Sequence, residues 1–477
     1  MQKNGDSDRV IAVDLDGTLT QTDTLYESVF SLLREKPHYL FAMPFWLMQG
    51  KANFKAKVAE RVELDVTTLP YNEYLIKWLK EQRASGKKLV LCTATNERIA
   101  NAVATHLQLF DNVVSSDAFH NIKGANKRKV LEKLFGLKGY DYVGNSTDDL
   151  TVWAGAQQAI VVNANQALVN KAEQTTILSK VFSPKPVKLS QFSKILRVHQ
   201  WVKNVLLFVP MLAAHQIYDT QAIFTLIIAF FSFSLCASAT YIINDLLDLN
   251  SDRKHPSKRY RPFAAASVPI AMGAVLVPIF VIASLALGIM VGPAFITWLV
   301  IYFILTCAYS FYLKRLALID CLTLAILYTI RIIAGAAAIE LTLSMWILAF
   351  SLFIFQSLAF LKRYSELLTQ KAVGTDKAHG RDYLFKDSSL IQSIGISTGI
   401  AATVVLALYL NSDKVLNSYA HPQLTWLAVP LTLFWISFAW LEAHRGKMHD
   451  DPVLFAIKNK VSLSLFLLIF IVFVLAI

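Results

Sequence analysis

From about residue 204 onward the chain is built on apolar runs, near 204–217, 222–243, 266–291, 294–312, 318–339, 345–361, 390–410, 423–441 and 461–477. About 20 apolar residues are needed for a helix to cross the hydrocarbon core of a bilayer. In lipid the backbone must satisfy its own hydrogen bonds, so runs of this kind fold as helices. The expectation is an all-α membrane domain over 204–477 with about nine transmembrane helices, of which the first is short. At 477 residues, 55% hydrophobic and 17% charged, the chain has room for a further domain ahead of it.

Charge separates the two parts. Residues 1–182 carry 22 Lys and Arg against 20 Asp and Glu, whereas residues 183–477 carry 24 against 14. The first part reads as an ordinary soluble domain and the second as a membrane domain with a basic rim, so the cations point to membrane lipid, and no nucleic-acid partner is expected. Between them, residues 183–203 form a linker and interfacial segment. Pro184 and Pro186 break helix there, Lys185, Lys188, Lys194, Arg197 and Lys203 suit an anionic lipid surface, and Trp201 suits an interfacial anchor. The four cysteines include no CxxC pair, so neither a disulfide framework nor a zinc site is indicated.

Loop charge orients the spans. The loops at 244–264, 312–317, 362–389 and 442–460 hold 5, 2, 6 and 4 Lys and Arg, and the loops between them hold only Lys414. The positive-inside rule places the charged loops in the cytoplasm. The polar first ten residues have no cleavable-signal core, so the soluble domain is expected on that same side of a bacterial inner membrane, with Ile477 near the outer face.

One of those loops carries chemistry. In NDLLDLNSDRKHPSKRYRPFA, Asp245, Asp248 and Asp252 fall at i, i+3 and i+7, one stripe of a helix. Three clustered carboxylates repel one another unless a divalent cation lies between them, and Mg²⁺ is usually held by a few carboxylates and substrate phosphates. Arg253, Lys254, Lys258, Arg259 and Arg261 follow directly and can grip phosphate oxygens. A solvated charged loop is the plainer reading, but helical spacing at the end of a span favours a Mg-diphosphate site.

This stretch resembles the first aspartate-rich motif, NDxxDxxxD, of the UbiA-type intramembrane prenyltransferase superfamily, with Asn244, Asp245, Asp248 and Asp252 at its fixed positions. The resemblance implies that Asn244 and the basic residues bind substrate and that the aspartates hold Mg²⁺. QWVKN around Lys203, YSFYLKRLALID with Lys314 and Asp320, RIIAGA with Arg331, and KRYSE with Lys362 and Arg363 extend the resemblance across residues 195–370 toward polyprenyl-phosphate phosphoribosyltransferases. Arg381 lies in the next loop, where Asp376, Lys377, Asp382 and Asp387 are scattered and the second aspartate-rich motif of aromatic-ring prenyltransferases is not seen. Arg331, deep in an apolar run, must either pair with a carboxylate or face a polar cavity. His444, His449, Asp450 and Asp451 read as a solvated loop.

In the soluble part, Val10–Val13, 89–92, 140–143 and 160–162 read as buried strands separated by helical stretches at 96–109 and 127–134, the alternation of a parallel sheet with ligands at its strand C-termini. Polar residues follow the strands: Asp14-Leu-Asp16-Gly17-Thr18, then Thr93, then Gly144-Asn145-Ser146-Thr147-Asp148-Asp149. DxDGT with these partners in order resembles the haloacid-dehalogenase superfamily across residues 9–180, an α/β Rossmann-like fold with a helical cap, here about 20–85. By that resemblance Asp14 is the nucleophile, Asp16 the general acid and base, Thr93 and Lys123 hold the phosphoryl group, and Asp14, Asp16 and Asp149 hold Mg²⁺. The family usually has an aspartate where this chain has Asn145, and a neutral ligand there weakens a Mg²⁺ site.

The resemblances imply a Mg²⁺-dependent membrane transferase moving phosphoribosyl from 5-phosphoribosyl 1-diphosphate to a polyprenyl phosphate, with a phosphatase domain acting on the product. The partners are thus a polyprenyl lipid and a small molecule bearing a diphosphate. The alternative is transfer of a prenyl group from its diphosphate to an aromatic ring such as 4-hydroxybenzoate, with a degenerate or regulatory soluble domain. A transporter would place its polar groups at the membrane midplane, and here they gather at one face.

Overall fold

The computed structural model describes residues 9–117, 120–183, 190–372, 381–448 and 451–477, with the side chain of Lys414 left aside. Pro184, Lys185, Pro186, Lys188, Asp376, Lys377, His449 and Asp450 lie outside the described residues. The chain forms two compact units, one from the residues up to Ile195 together with Asn244–Leu276, the other from Leu196–Ile243 and Val277–Ile477.

The first unit is built on a six-stranded parallel sheet. Its strands are β1 (Val10–Val13), β2 (Lys88–Asn96), β3 (Asn112–Ser116), β4 (Tyr140–Gly144), β5 (Gln158–Val162) and β6 (Ile177–Phe182), in the order β3-β2-β1-β4-β5-β6. The order reverses between β1 and β4, which is where open α/β sheets place their ligands. Strands β3 and β6 were not evident in the sequence, because β3 is only alternately buried and β6 is mostly exposed. The inserted cap comprises α1 (Thr24–Glu35), α2 (Tyr39–Met48) and α3 (Lys51–Ala59), and a Thr20–Tyr71 bridge closes its base. Leu75 and Leu79 of α4 (Glu73–Ala84) share a core cluster with the strands and with Ala59 of α3. Helices α5 (Glu97–Leu107) and α6 (Ala125–Phe135) follow β2 and β3.

Among the described residues seven helices are long and apolar enough to cross a membrane. The first, Thr220–Leu247 (α9; α7 is Leu150–Trp153 and α8 Gln166–Thr175), leads into the short α10 (Leu249–Lys254). The others are Ile270–Val291 (α11), Pro293–Phe311 (α12), Ile319–Ala338 (α13), Met345–Lys371 (α14), Phe385–Leu410 (α15) and Pro422–His444 (α16). An eighth span is possible as a pair, Pro452–Lys458 (α17) and Lys460–Ala476 (α18), bent by 78°.

Where nine spans were expected, seven long apolar helices stand among the described residues, or eight spans with the bent pair, and the difference falls on the run near 204–217. The run near 204–217 is not a long α-helix but a 3₁₀ segment, Val198–Phe208, continued by five α-helical residues, Val209–Ala213. A 3₁₀ helix rises faster per residue, so this stretch still reaches about 30 Å. Gly335 explains its docking: a Cβ there would lie 2.0 Å from the Leu207 carbonyl oxygen, so only glycine lets α13 approach that backbone. Within the bundle, Ser232 Oγ of α9 donates to Ser284 O of α11 at 2.8 Å and Ser284 Oγ returns the bond at 2.7 Å.

Candidate active sites

The α/β crevice forms where β1 ends. The Asp14 amide donates to Val143 O at 3.0 Å, tying the ends of β1 and β4 together, and Lys127 of α6 reaches Asp14 Oδ1 at 2.8 Å and the Tyr142 hydroxyl at 2.7 Å. Burial raises the Asp14 carboxyl to about 6 even though Lys127 opposes it. Burial works against the Lys127 ammonium as well, but Asp14 and Asp149 outweigh it and hold the proton on. Asp16 accepts from the Thr24 amide at 2.8 Å and from Thr95 Oγ1 at 2.6 Å, and burial raises its pKa, with Asp23 adding to the effect. Thr93 Oγ1 accepts from the Thr95 amide at 3.1 Å and so shapes the turn that delivers Thr95. Gly17 has φ +72°, and a Cβ there would lie 2.1 Å from the side-chain Nδ2 of Asn145, so the DxDGT turn needs its glycine.

Two expectations change here. The lysine on Asp14 is Lys127, whereas Lys123 is exposed and pairs with Asp148 at 2.8 Å. Lys123 precedes the helix, while Lys127, four residues on, sits on the face that α6 turns to the sheet, a position the loop motif does not reveal. Asp149, expected as a metal ligand, has both oxygens engaged: Oδ1 accepts from Tyr142 OH at 2.8 Å, and Oδ2 from the Asn145 and Ser146 amides at 3.0 and 2.9 Å and from Ser146 Oγ at 2.9 Å. It clamps the loop after β4. Lys55 of α3, not anticipated, donates to Ala94 O at 2.8 Å, and burial lowers its pKa against the pull of Asp16 and Asp23. Its signal in the sequence was hidden among the cap lysines.

The aspartate-rich loop breaks its helix. Asp248 stands between α9 and α10 with φ −97° and ψ 10°, so the three acids do not share one continuous helical stripe as expected. Asp245 Oδ1 and Asp252 Oδ2 nevertheless converge on a single nitrogen of Arg261, at 3.0 and 2.6 Å. Burial raises the Asp252 carboxyl to about 6, Arg261 opposing and Asp245 adding to the shift. A guanidinium thus stands where two buried carboxylates meet, and that donor set fits a divalent cation. Among the described residues no three His, Cys, Asp or Glu side chains come together in a metal-binding group.

The neighbouring cations divide. Arg253, expected on substrate, is instead bound by Glu27 of α1 through NH1 at 3.1 Å and NH2 at 2.5 Å, with its Nε donating to Ala264 O at 3.0 Å. Lys254 pairs with Asp65 at 2.8 Å, and Arg259 stacks on Tyr260. Sequence spacing cannot show this, because the acidic partners lie about 190 residues or more away.

In the second unit, Asp451 was expected in a solvated loop but accepts from Lys203 at 2.7 Å and from Lys362 at 3.2 Å. Burial alone would raise its pKa, but Lys362 and Lys203 hold it well below the usual carboxylate range. His444 Nδ1 lies 2.8 Å from the Tyr364 hydroxyl. Asp320 is fully buried against Arg363 Nε and Tyr383 OH, each at 2.5 Å, and Glu366 joins Arg363 to Arg381. Lys314 is buried at the end of α12. Arg331 follows neither expected course: it donates to Asn204 Oδ1 at 2.9 Å, Leu327 O at 2.5 Å and Tyr302 OH at 3.0 Å, and lies over the Phe233, Tyr302 and Tyr328 rings. Neutral dipoles and aromatic faces, not a carboxylate, hold its charge in the bundle.

The acid-lined loop that follows α9 thus brings two buried carboxylates onto one guanidinium. Residues 205–381 match the model of the UbiA prenyltransferase family. The chain is 31% identical over 289 residues to a decaprenyl-phosphate phosphoribosyltransferase of Mycolicibacterium smegmatis, a match covering 58% of this chain and 90% of that one. It is 33% identical over 468 residues, 97% of this chain and 90% of the relative, to an uncharacterized protein of Sinorhizobium fredii. A HAD family hydrolase from Salmonella enterica is a structural neighbour at 17% identity and TM-score 0.28, covering 37% of this chain and 68% of that one. The chain belongs to the UbiA prenyltransferase family. It is an integral membrane protein whose first unit is a parallel α/β sheet with an inserted helical cap.

Proposed function

We propose that the protein transfers phosphoribosyl from 5-phosphoribosyl 1-diphosphate to a polyprenyl phosphate and that its first domain then removes the 5-phosphate. The observation that carries the transfer reading is the convergence of Asp245 and Asp252 on one cationic nitrogen, in a loop that also brings Lys258 and Arg259. Mg²⁺ would rest on Asp245, Asp252 and Asp248, and when bound it neutralises the leaving diphosphate. Arg261, released from the two aspartates, together with Lys258 and Arg259 takes up charge on the departing oxygens. The lipid phosphate is already an anion and attacks the anomeric carbon without a strong base. Similarity to decaprenyl-phosphate phosphoribosyltransferases supports phosphoribosyl transfer to a polyprenyl phosphate over prenyl transfer to an aromatic ring.

In the crevice, an Asp14 oxygen attacks phosphorus, and the ribosyl oxygen leaves with a proton from Asp16. Water then attacks the aspartyl-phosphate and gives its proton to Asp16. Lys127 stabilises the extra negative charge beside Asp14. The cation-rich loops orient both sites to the cytoplasm of a bacterial inner membrane, and the 3₁₀ stretch 198–208 with 209–213 supplies the first crossing that this orientation requires.

The test offers membranes labelled phosphoribosyl diphosphate with polyprenyl phosphate, beside labelled prenyl diphosphate with 4-hydroxybenzoate. Wild type forms phosphoribosyl-lipid, and Asp248→Asn inserts normally but loses at least tenfold of that product. Prenylated aromatic product, or full turnover by Asp248→Asn at limiting Mg²⁺, overturns the reading.

A further inference from the structure

Helix α2, YLFAMPFWLM, contains no charged residue, and it lies in the cap of a soluble-type fold. Met43 and Trp46 turn inward, and Arg61 secures the helix by lying over the Tyr39 and Trp46 rings. The opposite face is bare: Phe41 is 77% exposed, Phe45 67% and Met48 84%, with Leu40 and Leu47 about half exposed. A soluble domain rarely leaves so many large apolar side chains together in water.

Three observations say what covers this face. From Arg34 to Lys57 the chain carries Arg34, Lys36, Lys51, Lys55 and Lys57 against a single acid, Glu35, so the apolar helix is flanked by cations, the pattern of a helix that lies in an anionic lipid interface. The cap is also bonded, within its own unit, to a loop that joins two spans. Glu27 of α1 clamps Arg253, Asp65 pairs with Lys254, and Thr68 Oγ1 meets Asn250 Oδ1 at 3.4 Å, all in the loop that joins the spans α9 and α11. Helix α2 begins twelve residues after Glu27, eight of them in α1 at about 1.5 Å each. Third, α3 follows α2 directly and carries Lys55 toward Asp16 and Asp23 at the mouth of the crevice.

We propose that α2 inserts its Leu40, Phe41, Phe45, Leu47 and Met48 face into the anionic membrane surface, so that the crevice opens toward phosphate groups carried by lipid. The contact itself does not depend on the proposed phosphatase reaction. Its use in admitting a lipid-linked substrate rests on that reaction.

The test uses the full chain in nanodiscs containing phosphatidylglycerol, with Cys307→Ser removing the half-buried thiol. An environment-sensitive fluorophore is placed at Phe41→Cys and, as a control, at Tyr74→Cys on α4, which is equally exposed. Brominated lipid should quench the label at 41 at least threefold more than at 74, and replacing phosphatidylglycerol with phosphatidylcholine should weaken that quenching. Quenching at 41 by aqueous iodide but not by brominated lipid overturns the proposal. So does protection that appears only with two protein copies per disc, which would make the face a contact between copies. In a second arm, Phe41→Glu with Phe45→Glu should lower hydrolysis of lipid-linked phosphoester severalfold and leave p-nitrophenyl phosphate hydrolysis unchanged. An equal loss on both substrates refutes the admitting role. Failure of wild type on both substrates refutes the phosphatase reading alone, since the fluorescence arm still decides the membrane contact.

Discussion

Removing Glu27 tests the joint between the α/β domain and the aspartate-rich loop. Its side chain is 1% exposed and that of Arg253 8%, the pair is bidentate, and the guanidinium also donates to Ala264 O. Glu27→Ala deletes both hydrogen bonds that pair Arg253 with the carboxylate, keeps the one to Ala264 O, and leaves a buried charge without its counter-ion, a change that costs about 3–5 kcal/mol. The surviving carbonyl bond puts the expected loss near the lower limit, about 3 kcal/mol. For a unit of roughly 230 residues that corresponds to a fall of about 6–12 °C in Tm. Cys92 provides a specific readout, because it is the one cysteine in this unit, is fully buried, and has its thiol pushed up to about 12 by burial. Its alkylation, followed by mass spectrometry as temperature rises, should begin 6–12 °C earlier in Glu27→Ala. Glu27→Leu combined with Arg253→Met should recover at least half of that shift, since apolar replacement of a buried pair is often neutral. A single variant that melts within 2 °C of wild type, or a double variant that falls by the sum of its parts, would refute the claim that the pair holds loop and cap together.

Gly335→Val places side-chain atoms where a Cβ already meets Leu207 O at 2.0 Å, so α13 and the 3₁₀ segment must separate. A loss of about 1–3 kcal/mol is expected and should appear as lower yield of folded protein by size-exclusion chromatography, with wild-type yield counting against the close approach. Lys127→Met should reduce phosphate release at least a hundredfold while Lys123→Met stays within threefold of wild type, and the reverse order would restore Lys123 to the nucleophile.

Much of this protein is legible in its sequence, for reasons that are local. Apolar length specifies a span because lipid cannot satisfy a bare backbone, and all the long runs from 222 onward fall on membrane helices. The strands at 10–13, 89–92, 140–143 and 160–162 are visible because both faces of a parallel sheet are buried and the residues are apolar without alternation. Asp14, Asp16, Asp245 and Asp252 are marked by their spacing within short motifs. What escapes the sequence depends on partners far along the chain. Arg253 could grip a phosphate or a carboxylate equally well, and only the fold brings Glu27 to it. Lys127 displaces Lys123 because the rotation of α6 decides which ammonium faces Asp14. Asp451 looks like part of a wet loop until Lys203 and Lys362 close on it, and Arg331, for which a carboxylate and a polar cavity were both open, finds neutral dipoles. A charged side chain declares its chemistry in the sequence, but its partner is chosen by the packing of segments hundreds of residues apart, and that choice exists only in the tertiary structure.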